Sequence, residues 1–252
     1  MARPHGIVLV TGPTGSGKTT TLYASLQELD LGRLNVSTVE DPVEYQVAGI
    51  TQIQTHDRIG LTFATSLRTL LRQDPDVIVI GETRDLETAQ AAIQAGLTGH
   101  LVITTIHSGT ATGVFTRLLD LGIEPFLIAS TITGVLAQRL VRRNCQQCNS
   151  PYEPAPMLIK CFDVNSWSPA TFQRGTGCDA CEGLGYHGRT AIGEMLTMND
   201  ELADLILSRA SSRKMYDVVI RNEMTPIIDH GLKKVKGGRT TLEELSRVLP
   251  PP

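Results

Sequence analysis

The chain has 252 residues, 41% of them hydrophobic and 19% charged, with a net charge of -3. That length buries one substantial core with room for a small appended module, and the composition is that of an ordinary soluble protein. Mild acidity without a long polybasic tract argues against nucleic acid as a partner, and no apolar run approaches the ~20 residues that cross a bilayer.

Met1-Ala2-Arg3-Pro4-His5-Gly6 leads at once into an apolar run, which leaves no room for a signal peptide, so the chain is expected to be cytosolic and to lack a disulfide framework. So abrupt a start also raises the expectation that further domains precede it in a longer protein. Residues 6–10 read as a buried strand, and 20–29 as a helix with Leu22, Leu26 and Leu29 on one side. Between them, Gly12-Pro13-Thr14-Gly15-Ser16-Gly17-Lys18-Thr19 fits G-x-x-x-x-G-K-[ST] at every required position, with Thr20 opening the helix. Small residues in such a P-loop let backbone N–H groups turn around a di- or triphosphate. Lys18 then reaches the β and γ oxygens, and the Thr19 hydroxyl is placed to ligate Mg²⁺. The strand, loop and helix together set the anion at a helix N-terminus.

Residues 35–39 form a second expected strand, delivering Glu40, Asp41 and Glu44 to a loop at its carboxyl end because Pro42 cannot continue a ladder. A solvated acidic turn has the same composition. Residues 49–54 alternate like an exposed hairpin strand. Residues 63–73 read as a helix, with Arg68 and Arg72 stacked on one face, which a solvated basic face also explains. Val77-Ile78-Val79-Ile80 is a buried parallel strand in pattern and ends in Gly81-Glu82. An acid at that tip occupies a Walker-B-like position, and since the usual Asp is missing, Glu82 takes the role. Residues 86–95 form a helix, and a further strand runs between His100 and His107. His107 stands at the carboxyl end, His100 at the far end.

Residues 116–121 and 126–140 read as helices. Next come Cys145-x-x-Cys148 and Cys178-x-x-Cys181, two knuckles that together resemble a four-cysteine structural zinc site. Four thiolates close the tetrahedron and leave no open position for catalysis. Cys161 stands outside this pattern, and residues 151–169 between the knuckles have the proline-rich, polar composition of a loop-rich insertion. Residues 199–249 read as a small helical bundle, with N-caps at Asp200 and Thr241 and a capping box over Thr241-Leu242-Glu243-Glu244.

With these motifs in hand, the chain resembles the secretion ATPases of type II secretion and type IV pilus systems, and most closely the type II members. Residues 12–23 match the family's Walker A, 38–45 its aspartate box, 71–85 its Walker B and 97–102 with His107 its histidine box. Residues 122–130 and 136–142 and the four knuckle cysteines extend the match. After His107 the sequence departs from the family's usual residues.

The resemblance implies an α/β, RecA-like P-loop ATPase core over 1–143, a four-cysteine zinc-binding insertion over 144–190 and a C-terminal helical subdomain over 191–252. It implies ATP, Mg²⁺ and Zn²⁺ as cofactors and a homo-hexamer at the cytoplasmic face of the inner membrane. There ATP turnover acts against an inner-membrane platform protein and a cytoplasmic-domain protein to assemble a pseudopilus. By the same resemblance Glu44 activates water, Glu82 is the Walker B acid and His107 contacts the γ-phosphate. Arg68, Arg72 and Arg84 approach phosphate, in part from a neighbouring subunit. A pilus-assembly motor and a nucleotide-dependent switch with little turnover are the alternatives.

Overall fold

A computed structural model describes residues 5–249, apart from the side chain of Ala170; Met1–Pro4 and Pro250–Pro252, at the ends of the expected segments, lie outside the described residues. In chain order the elements are β1 (Gly6–Thr11), α1 (Lys18–Gln27), β2 (Val36–Glu40), β3 (Thr51–Gln54), α2 (Phe63–Leu70), β4 (Val77–Ile80), α3 (Leu86–Leu97) and β5 (Leu101–Ile106). They continue with α4 (Gly113–Asp120), α5 (Pro125–Thr131), β6 (Ile132–Asn144), β7 (Asn149–Pro151), α6 (Pro156–Cys161), β8 (Gln173–Gly175) and β9 (Tyr186–Thr197). The last four are α7 (Asp200–Leu207), α8 (Ser212–Arg221), α9 (Ile227–Lys236) and α10 (Leu242–Val248).

Seven strands form one sheet in the order β3-β2-β4-β5-β1-β6-β9, and the pairs from β3 through β6 are all parallel. Consecutive residues of these strands alternate between two cores. Leu9, Ile78, Ile80, Val102 and Ile106 pack with residues of α2 to α5, whereas Val10, Val77, Val79 and Ile103 pack with Leu22, Tyr23 and Leu26 of α1. A strand buried on both faces reads as the continuous apolar run seen at 77–80. This is the architecture of a RecA-like P-loop fold.

By contacts the chain divides into two compact units, one comprising residues up to Ala137 with Met195–Met224, the other Gln138–Glu194 with the segment from Thr225 onward. The C-terminal helices are shared out accordingly: α7 and α8 belong to the first unit, α9 and α10 to the second.

Four local expectations are corrected, the fourth at Glu244 in the second unit. Residues 132–140 are strand rather than helix: the stretch carries Ile132, Thr133 and Val135, β-branched residues that suit a pleated surface, and it pairs in parallel with β1. The segment at 49–54 gives β3, which is an edge strand parallel to β2, because alternation reports exposure and not direction. Asn199, not Asp200, caps α7 by accepting from Leu202 N at 2.8 Å.

In the second unit, Val141, Phe162, Phe172, Ile192, Leu242 and Leu245 belong to one apolar core, and β7 pairs antiparallel with β8. Thr241 caps α10 as expected. The Glu244 carboxylate does not complete a capping box, however. It accepts from Arg142 N at 2.9 Å and Arg142 Nε at 2.8 Å, and from Arg247 at 2.7 and 2.8 Å. Burial pushes this carboxyl up, but the two guanidinium groups outweigh it and bring it down to about 2.

Candidate active site and metal centre

Strand register decides which groups can meet. Thr11 lies opposite Ile106, Ile80 opposite Thr104, and Val39 opposite Ile80, so β1, β2, β4 and β5 end at one sheet edge. The loops that follow them therefore share the side where open parallel sheets bind ligands. The edge is stitched across: Thr11 Oγ1 donates to the Ile106 carbonyl at 2.7 Å and accepts from Ser108 N at 2.9 Å, Gly81 N donates to the Val39 carbonyl at 2.8 Å, and Thr105 Oγ1 donates to the Gly81 carbonyl at 2.7 Å.

After β1 the P-loop turns through Gly12, Gly15 and Gly17 at φ +152°, +76° and +88°, a region closed to most side chains. Gly17 precedes α1 with no side-chain cap, and the first turn of α1 holds no acid. The N–H groups of the first helical turn have no intrahelical partner in any α-helix, and here they face a loop of small residues. Pro13, Thr14, Gly15, Thr19 and Thr20 are exposed, and Ser16 is buried. Lys18 Nζ donates to the carbonyls of Gly12 at 3.0 Å and Pro13 at 3.2 Å, so the ammonium already lies over the loop.

At the tip of β4, Glu82 is 14% exposed and meets both Arg84 and His107. Its Oε2 accepts from Arg84 Nε at 2.7 Å, and its Oε1 lies 2.8 Å from His107 Nε2. Glu82, Thr83, Arg84 and His107 line a cavity of about 260 Å³ together with Arg117 of α4. Glu44 is exposed in the loop after β2. Glu40, at the strand end itself, is buried and saturated by donors from Tyr23, Thr38 and Gln52. The arginine pair stands elsewhere: Arg68 meets Glu87 of α3 at 2.8 Å, and Arg72 donates to the Arg68 carbonyl at 3.2 Å. His100 Nδ1 lies 3.0 Å from the Ala95 carbonyl, at the opposite edge. Arg117 escaped the sequence reading because it lies on a helix outside every motif. Its one signal is being a cation on the helix next after the His107 loop.

In the second unit, the Sγ atoms of Cys145, Cys148, Cys178 and Cys181 lie within 4.8 Å of one another. Three of the separations are 3.8, 3.8 and 3.7 Å. Zinc–sulfur arms of about 2.3 Å give tetrahedral edges of about 3.8 Å, whereas a disulfide needs about 2.05 Å. The donor set and its spacing thus fit zinc. Gly177 N donates to Cys148 Sγ, and Cys178 N and Gly185 N to Cys181 Sγ, each at 3.3 Å. Such outer contacts orient thiolates around an ion. Burial alone would raise the Cys181 thiol, but the Cys178 and Gly185 N–H groups, together with the neighbouring Cys178 and Cys148 thiols, bring it down. Gly175 and Gly185 let the backbone close around the cluster: a Cβ on Gly175 would fall 2.0 Å from the Gly185 carbonyl oxygen, and one on Gly185 2.2 Å from that of Gly175.

Among the described residues, no helix is long and apolar enough to cross a membrane. Residues 1–247 match the family described as Type II/IV secretion system protein. The type II secretion system ATPase E of Vibrio cholerae is 55% identical over 98% of this chain and 49% of its own length. The type IV pilus assembly ATPase PilB of Myxococcus xanthus is 47% identical over 96% of this chain and 44% of its own. Among solved structures, the pilus retraction motor PilT with bound ADP aligns at a TM-score of 0.72 and 29% identity, covering 98% of this chain and 62% of that one. The chain spans about half the length of the curated relatives it matches. With its P-loop, its acid-tipped strand and a match that runs almost from end to end, the chain belongs to the type II/IV secretion system protein family.

Proposed function

We propose that this chain is the ATP-hydrolysing part of a secretion motor that powers pseudopilus assembly and protein export in a type II system. The observation that carries the reading is Glu82, held by Arg84 and His107 at the sheet edge that also carries the P-loop. In it, Lys18 leaves the Gly12 and Pro13 carbonyls for the β and γ oxygens of ATP, while first-turn N–H groups of α1 receive the phosphates. Magnesium, when bound, supplies charge neutralisation across those oxygens; Thr19 and Glu82, both hard oxygen donors, are the residues to hold it.

Glu44 takes a proton from the attacking water as the water oxygen bonds to the γ-phosphorus. The bond from that phosphorus to the bridging oxygen breaks, giving ADP and inorganic phosphate. Arg84 and His107 face the charge that develops. Arg68 and Arg72 act on a neighbouring subunit's nucleotide in a homo-hexamer. The Arg68 to Glu87 pair is more than half exposed and of a kind worth only ~0–1 kcal/mol, so it yields readily to phosphate.

Residues 1–143 supply the ATPase core, 144–190 a segment folded by zinc and 191–252 the helical remainder. The motor works at the cytoplasmic face of the inner membrane, against an inner-membrane platform protein and a cytoplasmic-domain partner, without nucleic acid. Similarity to the Vibrio cholerae ATPase supports the type II assignment, and similarity to the Myxococcus xanthus protein supports a second reading, a pilus-assembly motor with the same chemistry.

Steady-state ATP hydrolysis tests the chemistry that both readings share. Glu44→Gln and Glu82→Gln are expected to lower kcat about 10²- to 10⁴-fold with ATP binding retained. Turnover unchanged in both variants sinks the catalytic assignment, and an unmodified protein that binds ATP but scarcely hydrolyses it is a switch instead.

A further inference from the structure

The loop 41–48 that carries Glu44 has no regular secondary structure, yet it is fastened at alternate residues on either side of that glutamate. Val43 N donates to Gln54 Oε1 at 3.2 Å, and Val47 N donates to Gln52 Oε1 at 2.7 Å. Tyr45 is held through its carbonyl, which accepts from Gln52 Nε2 at 3.2 Å and lies 3.3 Å from Tyr23 Oη. Its ring also lies 4.0 Å from that of Tyr23, centroid to centroid.

Beneath these contacts sits Glu40. Its Oε2 accepts from Tyr23 Oη at 2.5 Å, and its Oε1 accepts from Thr38 Oγ1 at 2.6 Å and Gln52 Nε2 at 3.1 Å. A buried carboxylate that accepts three hydrogen bonds is engaged within the fold, and a network in which each member has partners is rigid. Its members come from α1, the helix that begins with Lys18 and Thr19, and from β2 and β3, which frame the Glu44 loop.

We infer that Tyr23 and Gln52 are positioning residues, joined through Glu40, that fix the Glu44 loop relative to the helix holding the phosphates. The inference rests on the reading of Glu44 as the group that activates water. A general base works only within hydrogen-bond reach of its proton, and displacement by about 1 Å costs on the order of a hundredfold in rate. Without the Tyr23 hydroxyl or the Gln52 amide, the nucleotide still binds at the P-loop, but the carboxylate that must meet the water is no longer set against it.

Tyr23→Phe deletes one hydroxyl and keeps the ring contact; Gln52→Ala removes the ties to Val47 and Glu40 from the other side and supplies the test should the first variant not fold. Each is measured for kcat and KM in ATP hydrolysis, and for affinity toward a non-hydrolysable ATP analogue, whose binding also certifies the fold. Expected is a roughly 10- to 100-fold fall in kcat with KM and analogue affinity within twofold of the unmodified protein. In a Glu44→Gln background, Tyr23→Phe is expected to add nothing, because its effect passes through that carboxylate.

Unchanged kcat in the single variants, a loss of analogue affinity that matches the loss of kcat, or an additive loss in the double variant overturns the inference while leaving Glu44 in its role. Full turnover in Glu44→Gln alone removes that role, and the inference with it.

Discussion

The cysteine cluster at 145–181 and the carboxylate cluster at Glu82 both gather groups that are costly to leave alone, but they complete their surroundings in opposite ways. Each of Cys148 and Cys181 takes backbone N–H donors, the sulfur spacing matches a filled tetrahedron, and two glycines shut the backbone over it. Around Glu82 the partners are side chains that are themselves more than half exposed, Arg84 at 60% and His107 at 52%. A structural ion needs permanent contacts, whereas a site that must admit and release a triphosphate needs contacts that can be exchanged. On the proposed reading, saturated contacts go with holding the fold and exchangeable pairing with turnover.

The comparison can be broken most severely at the metal. Cys178→Ser, or chelation, is expected to remove on the order of 10 kcal/mol from the second unit, as structural zinc does in small modules. Hydrogen exchange should then show loss of protection across 144–190 with the strands β1, β4 and β5 still protected. Unchanged exchange after metal removal would mean the cluster is not a folding site.

Next in size is Glu244, saturated like the cysteines but without a metal. Glu244→Gln removes the charged partner of two half-exposed arginines and is expected to cost about 1.5 to 3 kcal/mol in denaturant unfolding. Because its folded pKa is depressed to about 2 from 4.5, its contribution is present in full above the unfolded value and is lost as pH falls from about 4.5 through about 2. Unfolding of the unmodified protein should therefore weaken across that window, and Glu244→Gln should flatten the weakening.

The smallest expected change sharpens the contrast from the open side. Lys18→Ala should alter the stability of the empty protein by no more than about 0.5 kcal/mol. It should nonetheless abolish the gain that ATP gives the unmodified protein, ~2.7 kcal/mol at a hundred times Kd. A large loss without nucleotide would show that the P-loop lysine is structural as well.

The parts legible in the sequence are those where chemistry fixes residue type at fixed spacing. The P-loop, the place of Glu82 at a strand tip and the clustering of the paired cysteines were readable because such motifs admit few residue types at fixed spacing. The strand β6 was not, since its apolar residues show no clear period; Gly134 was the clue, because a Cβ there would lie 3.2 Å from the Leu196 carbonyl oxygen. The Glu40 network was hidden for another reason. Its members lie on α1, β2 and β3, and only the sheet brings them together. Glu244 looked like half of a capping box because the sequence shows its place in α10 and not the arginine that β6 carries to it.

The meeting of Gly175 and Gly185 has a further consequence. Most crowded pairs in a protein interior can be relieved by enlarging one member while trimming the other. Here neither member has anything left to trim, and what obstructs each is the other's main chain. No second-site change at the opposite position can restore a variant at either one, so these two places are frozen together while the sequence around them remains free to vary.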